Sequence, residues 1–126
     1  MKMSTCLWIG VGGFLGANVR YGLSLWMAAR WGTAFPWGTL LINVSGSFLL
    51  CVLLALASHR VAFPPTLRLA LTTGFLGAYT TFSTFSAEWL LLCQDGYGLR
   101  SMLYMGSSVV GGGVAGVVGL WLGRWL

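Results

Sequence analysis

Four long apolar runs, each closed by a short polar or turn-forming stretch, set the plan of the chain. The first extends from Leu7 to Ala29, interrupted by Asn18 and Arg20, and ends at "ARWGTAFPWG", where Gly32, Pro36 and Gly38 mark a turn. The second, Gly38 to Ser58, contains no charged residue. After "HRVAFPP", with His59, Arg60 and the Pro64-Pro65 pair, a third runs from about Leu67 to Leu92. The polar connection "CQDGYGLRS" leads to the fourth, Met102 to Gly123, again uncharged. A membrane-spanning helix takes roughly 20 apolar residues, so the pattern predicts an all-α membrane protein with four spans in a single domain, residues 1–126. Trp8, Trp26, Trp31, Trp37, Trp89, Trp121 and Trp125 mostly fall near the ends of these runs, where an amphipathic indole suits the headgroup boundary.

Composition agrees: 57% of the residues are hydrophobic and 7% charged, against about a quarter charged in a soluble domain. The first run is longer than a signal-peptide core and is read as a retained span, with no separate soluble domain. Cys6, Cys51 and Cys93 lack CxxC spacing and read as small buried residues rather than redox or metal ligands. A net charge of +5 would point to nucleic acid in a soluble protein, but the basic residues are scattered singly, so no nucleic-acid partner is expected.

Those cations matter instead for orientation. Lys2, Arg60, Arg68 and Arg124 fall on one side of a four-span chain and Arg30 and Arg100 on the other, with Arg20 inside a span. So small a bias allows either one orientation with both termini inside or insertion both ways. A chain that inserts both ways can pair with its inverted copy, and an antiparallel homodimer would give four short helices the enclosed pathway they otherwise lack.

Nineteen glycines are many for this length, and several lie on helices at GxxxG spacing: Gly12 and Gly16, Gly112 and Gly116, Gly119 and Gly123. Such stripes let helix backbones approach closely in lipid. The glycine density of "VGGFLGANVRYG" lacks a preceding strand and reads as packing, not a dinucleotide site.

Polar groups within spans are expensive and need a partner or water. On the second run Thr39, Asn43 and Ser47 recur every four residues on one helical face; Asn43 is either an amide joining two helices or a donor lining a pathway. On the fourth, Tyr104 and Ser108 share a face with Gly112, and Ser108 taken alone reads as a hydroxyl satisfied by its own helix. The third run carries "GFLGAYTTFSTFSAE", with six hydroxyl side chains between Gly74 and Glu88. Phe82, Phe85 and Trp89 form an aromatic stripe beside a polar stripe of Thr81, Thr84 and Glu88. The ordinary reading of such a stripe is helix packing; the alternative is that ring edges, which carry partial positive charge, attract an anion. Gly74 and Gly77 ahead of "YTT" weaken the helix, so the third span is expected to break near its middle and to free carbonyls that suit a hard cation.

The first, second and fourth runs hold no carboxylate, and the sequence shows no Ser/His/Asp or metal-ligand cluster. Enzymatic chemistry is therefore not expected, and Glu88 alone could carry a proton. Arg20 either snorkels as an anchor or adds positive potential at the mouth of an anion route.

Taken together, "GGFLGANVRY", "WGTLLINVSGSFL" and "TGFLGAYTTFSTFSAE", in that order across a four-span chain, resemble the Fluc (CrcB-type) fluoride channels. The resemblance implies a passive fluoride channel in the cell (inner) membrane, with two pores in an antiparallel dual-topology homodimer. It implies that Asn43 lines the pore, that Phe82 and Phe85 line the fluoride path with their edges, and that Gly77 and Thr80 offer backbone carbonyls of both copies to a structural sodium ion. Arg20 matches an arginine near the vestibule, Thr39 and Glu88 match polar positions, and Tyr104 and Ser108 match a polar track on the last helix. Gly112 departs from relatives that continue this track with a hydroxyl. Two rivals stand beside this reading. One is a small proton-coupled exporter of the multidrug-resistance type, which would need a carboxylate in the first span. The other is a noncatalytic membrane subunit, which the glycine stripes permit.

Overall fold

A computed structural model describes residues 2–59 and 63–126. Arg60, one of the cations weighed for orientation, lies outside the described residues. The described residues are predominantly helical, without strands: α1 (Met3–Trp31), α2 (Trp37–His59), α3 (Pro65–Leu69), a π-helical segment (Ala70–Leu76), α4 (Gly77–Tyr79), α5 (Phe82–Gln94) and α6 (Gly98–Trp125). The four runs read from the sequence thus correspond to α1, α2, the composite α3 to α5, and α6, each helix reaching a few residues beyond its apolar stretch. Glycines close α1 and α5, since Gly32 (φ 78°) and Gly96 (φ 80°) adopt the left-handed conformation that other residues resist.

Among the described residues, α2 and α6 are the two helices long and continuously apolar enough to cross a bilayer by length and composition. Polar positions at Asn18 and Arg20 interrupt α1, and the third run is divided into pieces. Asn18 is satisfied locally, its amide donating to the Phe14 carbonyl at 2.7 Å. Many large apolar side chains face outward, Val109, Val117 and Trp121 among them, as a lipid-facing surface requires.

The glycines set how closely the helices meet. A methyl group added at Gly119 would stand 2.5 Å from the Phe48 carbonyl oxygen, and one at Gly123 would stand 2.8 Å from that of Val52, so α6 lies backbone-close against α2. On the opposite side α1 rests on the π segment, where Gly12 and Gly16 leave space for the carbonyls of Ala70 and Phe75. Gly74 reciprocates toward the Ile9 carbonyl, which a methyl group would approach to 2.6 Å. These contacts are with backbone, which cannot swing aside as a side chain can. Ile42, Leu76 and Tyr79 form the small interior where α2 meets the third run.

The third run departs from a continuous α-helix twice. Seven residues, Ala70–Leu76, are wound as a π-helix, a rare form that tends to occur at functional positions. After the short turn of α4, Thr80 (ψ 155°) and Thr81 (φ −151°, ψ 113°) are extended, and regular helix resumes at Phe82.

Candidate functional site

Two extended residues in the interior of a helical run take their backbone groups out of the helical ladder, and each needs a new partner. Asn43 on α2 supplies two bonds at once: its Nδ2 donates to the Thr81 carbonyl (3.0 Å) and its Oδ1 accepts from the Thr81 N–H (2.8 Å). The side chain of Thr81 then starts α5, its Oγ1 accepting from the Thr84 N–H at 3.2 Å and donating to Thr84 Oγ1 at 2.9 Å. Of the two readings open for Asn43, the amide does join two helices, and it also borders a cavity, where its second N–H stays uncommitted.

These diversions have a consequence one turn back. In a continuous helix the Thr81 N–H would bond the Gly77 carbonyl and the Thr84 N–H the Thr80 carbonyl. Here those donors go to Asn43 Oδ1 and Thr81 Oγ1, which releases the carbonyls of Gly77 and Thr80. Gly46 on α2 makes the turn possible, because a methyl group there would collide with Thr80 Cγ2. Tyr79 anchors it, its ring stacked on Phe75 and its hydroxyl 2.9 Å from Ser45 Oγ.

One turn beyond Thr84, Glu88 is held from two helices. Thr39 Oγ1 donates to its Oε1 at 2.9 Å and the Tyr104 hydroxyl to its Oε2 at 2.6 Å. The interrupted run is thereby tied to α2 and α6 at its outer end and to α2 at the break. The Tyr104 ring, fully buried, meets Phe85 at 5.1 Å and Phe35 at 5.6 Å between centroids, and Phe85 meets Phe82 at 5.8 Å with planes inclined by 45°. A row of tilted rings, Phe35, Tyr104, Phe85 and Phe82, therefore leads from the α1–α2 turn to the break. Phe85 is 8% exposed whereas Phe82 is 80% exposed on the surface of a single chain.

Two cavities flank this row. The outer, about 510 Å³, is bordered by Ser24, Thr33, Thr39, Thr84, Glu88 and Asp95. The inner, about 340 Å³, is bordered by Asn43, Ser47, Thr80, Phe82, Phe85 and Ser108, together with Thr81 and Gly77, and among the described residues no charged side chain borders it. Ser108 Oγ is buried there without a hydrogen-bond partner, alone in this among the described side chains. The reading of Ser108 as satisfied by its own helix is thus overturned; the neighbouring Ser107 bonds back to Leu103 O at 2.6 Å, while Ser108 borders the cavity with its Oγ buried and unpaired.

The structure gathers Asn43, Gly77, Thr80, Thr81, Phe82, Phe85 and Ser108 at the inner cavity and Thr39, Thr84 and Glu88 at the outer, with Tyr104 between them. Arg20, half-buried on α1, borders neither cavity. Sequence reasoning missed Phe35, Ser45 and Tyr79. No periodicity could have singled them out, since each acts through a residue on another segment.

A family model described as "CrcB-like protein, Camphor Resistance (CrcB)" matches residues 7–120. A fluoride-specific ion channel FluC of Chloroflexus aurantiacus is 47% identical over 98% of both chains. The FluC protein of Acidobacterium capsulatum is 45% identical over 93% of this chain and 90% of its own. That of a Roseiflexus species is 49% identical over 86% of this chain and 87% of its own.

Proposed function

The chain belongs to the CrcB family, and from that membership we propose that it is a passive, fluoride-selective channel, a multi-pass membrane protein that lets fluoride leave the cell down its electrochemical gradient. The observation that carries the reading is the lining of the inner cavity, where Asn43, Phe82, Phe85 and the partnerless Ser108 come together with no charged residue among the described residues that border it.

Fluoride is small and strongly hydrated, so a selective path must replace its water with many modest donors rather than one strong trap. The spare Asn43 N–H, the Ser108 hydroxyl and the edges of Phe82 and Phe85 fit that need. Thr39 at the outer cavity and the buried Tyr104 beside it are turned toward Glu88, which keeps the carboxylate occupied beside the entry to the rings. An inside-negative potential drives an anion outward at about 2.3 kcal/mol per 100 mV, so no coupled ion is required.

The working unit is an antiparallel homodimer with two pores. Supporting this, Phe82 is exposed on a single chain, and so are Ser83, Thr84 and Gly77 around the break, a surface poorly suited to lipid but suited to a second copy. The released carbonyls of Gly77 and Thr80 fit a structural sodium ion, since a hard cation takes oxygen ligands; bound there, it would supply charge compensation for carbonyls of both copies.

Purified protein in liposomes is expected to release fluoride down a gradient, electrogenically and with little chloride flow. Flux that requires a pH gradient would return the proton-coupled exporter, and absence of flux would return the noncatalytic subunit. For the dimer, Gln94→Cys in a background lacking Cys6, Cys51 and Cys93 is expected to label about half from outside intact cells, as opposed orientations require. Labelling from one side only refutes dual topology. Sodium is tested by replacing it with choline throughout purification, which is expected to lower the dimer's thermal stability; an unchanged melting temperature removes sodium from the account.

A further inference from the structure

The face of α6 that carries Tyr104 and Ser108 continues, one turn on, at Gly112, which presents no side chain. A Cβ built at Gly112 would find one atom within 4 Å outside its own helix, the Ser47 Oγ of α2 at 3.6 Å. Ser47 borders the same inner cavity as Ser108, Asn43, Phe82 and Phe85. We propose that Ser47 is a fluoride-coordinating residue: beyond Ser108 the line of donors crosses from α6 to α2, and the Ser47 hydroxyl takes the place that a side chain at Gly112 would fill.

The local geometry leaves that hydroxyl free to serve. Its Oγ donates to the Asn43 backbone carbonyl at 2.8 Å, a bond within its own helix. That carbonyl keeps its regular α-helical N–H partner when the hydroxyl turns away, so rotation strands no backbone group. A serine rotor at this spot can therefore point inward when an anion arrives and back to the helix when it leaves. The absence of a side chain at Gly112 gives the rotor and the ion room. Thr39, Asn43 and Ser47, four residues apart on one face of α2, then act in succession: Thr39 at Glu88, Asn43 at the break, Ser47 at the inner end. An inner end furnished only by Ser108 would ask fluoride to leave its water for a single hydroxyl, and a second donor eases that step.

The assignment rests on the fluoride-channel reading, and the experiment separates the two. Fluoride efflux is measured from liposomes holding wild type, Ser47→Ala, Gly112→Ser and the double variant, each verified as folded by its elution and melting temperature. Loss of one charge-assisted hydrogen bond is expected to slow Ser47→Ala about tenfold or more. Gly112→Ser, whose Cβ meets Ser47 Oγ at ordinary contact distance, is expected to return the double variant to within about threefold of wild type. Ser47→Ala running at the wild-type rate overturns the proposal. So does a slow, folded double variant, because lost packing is not repaired by a hydroxyl on another helix. Should Ser47→Ala not purify folded, Ser47→Cys, similar in volume and a weak donor, takes its place under the same criteria. Wild-type protein that passes no fluoride overturns the channel reading itself.

Discussion

Replacing Asn43 with leucine is expected to abolish fluoride efflux and to remove much of the folded stability of the chain. The amide makes two bonds to Thr81, at 3.0 and 2.8 Å, and leucine of similar size makes neither. Both the N–H and the carbonyl of Thr81 would then lose their partner, at a cost of about 1–3 kcal/mol for each group left unpaired. Folding margins are of order 5–15 kcal/mol, so two such losses are a large share. If the chain instead winds on as continuous helix, the Thr81 N–H takes the Gly77 carbonyl back, which recovers that bond but dismantles the break. Asn43→Asp separates the two effects. It keeps the acceptor for the Thr81 N–H but loses the donor and puts a negative charge beside the anion path. It is expected to retain part of the stability while efflux falls about a hundredfold, the effect of some 3 kcal/mol. Melting curves alongside efflux assays check both; an Asn43→Leu protein with wild-type melting and flux would remove the clamp from the account.

How much of this was legible beforehand divides along a physical line. Whatever depends on one helix alone could be read. Apolar runs marked the helical stretches, the i, i+4 repeat placed Thr39, Asn43 and Ser47 on one face, and Gly12, Gly16, Gly119 and Gly123 marked close approach. What depends on two segments meeting could not. Asn43 and Thr81 are 38 positions apart, and nothing in either neighbourhood says that an amide will take the place of a helical bond. Glu88 looked like a lone proton carrier, yet it is the acceptor of two hydroxyls from α2 and α6. Gly74 and Gly77 drew attention as weak points, but both stay helical, and the extended residues are Thr80 and Thr81, where a cross-helix partner stands ready. Weak intrinsic propensity names a neighbourhood, and the available hydrogen-bond partner decides the residue.

The same division gives the rings their decisive experiment. Phe82→Ile is expected to slow fluoride efflux about tenfold while lowering the melting temperature of a single chain less than Phe85→Ile does, since it gives up one ring contact rather than two. At 80% exposure the Phe82 ring packs within one copy against Phe85 as its one aromatic neighbour, so bulk and folding survive and the losses are that contact and the positive ring edge. Phe85→Ile differs in kind. That ring is buried between Phe82 and Tyr104, at 5.8 and 5.1 Å, so its replacement costs about 0.5–1.5 kcal/mol of aromatic contact for each neighbour as well as the edge. Tyr104 would also lose the ring against which its hydroxyl is aimed at Glu88. Efflux and stability are therefore expected to fall together in Phe85→Ile. The double variant should slow efflux about a hundredfold if the edges act in turn on the same ion. Phe82→Tyr, which preserves the ring, is expected to conduct near the wild-type rate. Undiminished flux in both isoleucine variants would reduce the row of rings to packing, and the anion path would then have to run through the hydroxyls of Ser108 and Ser47 alone.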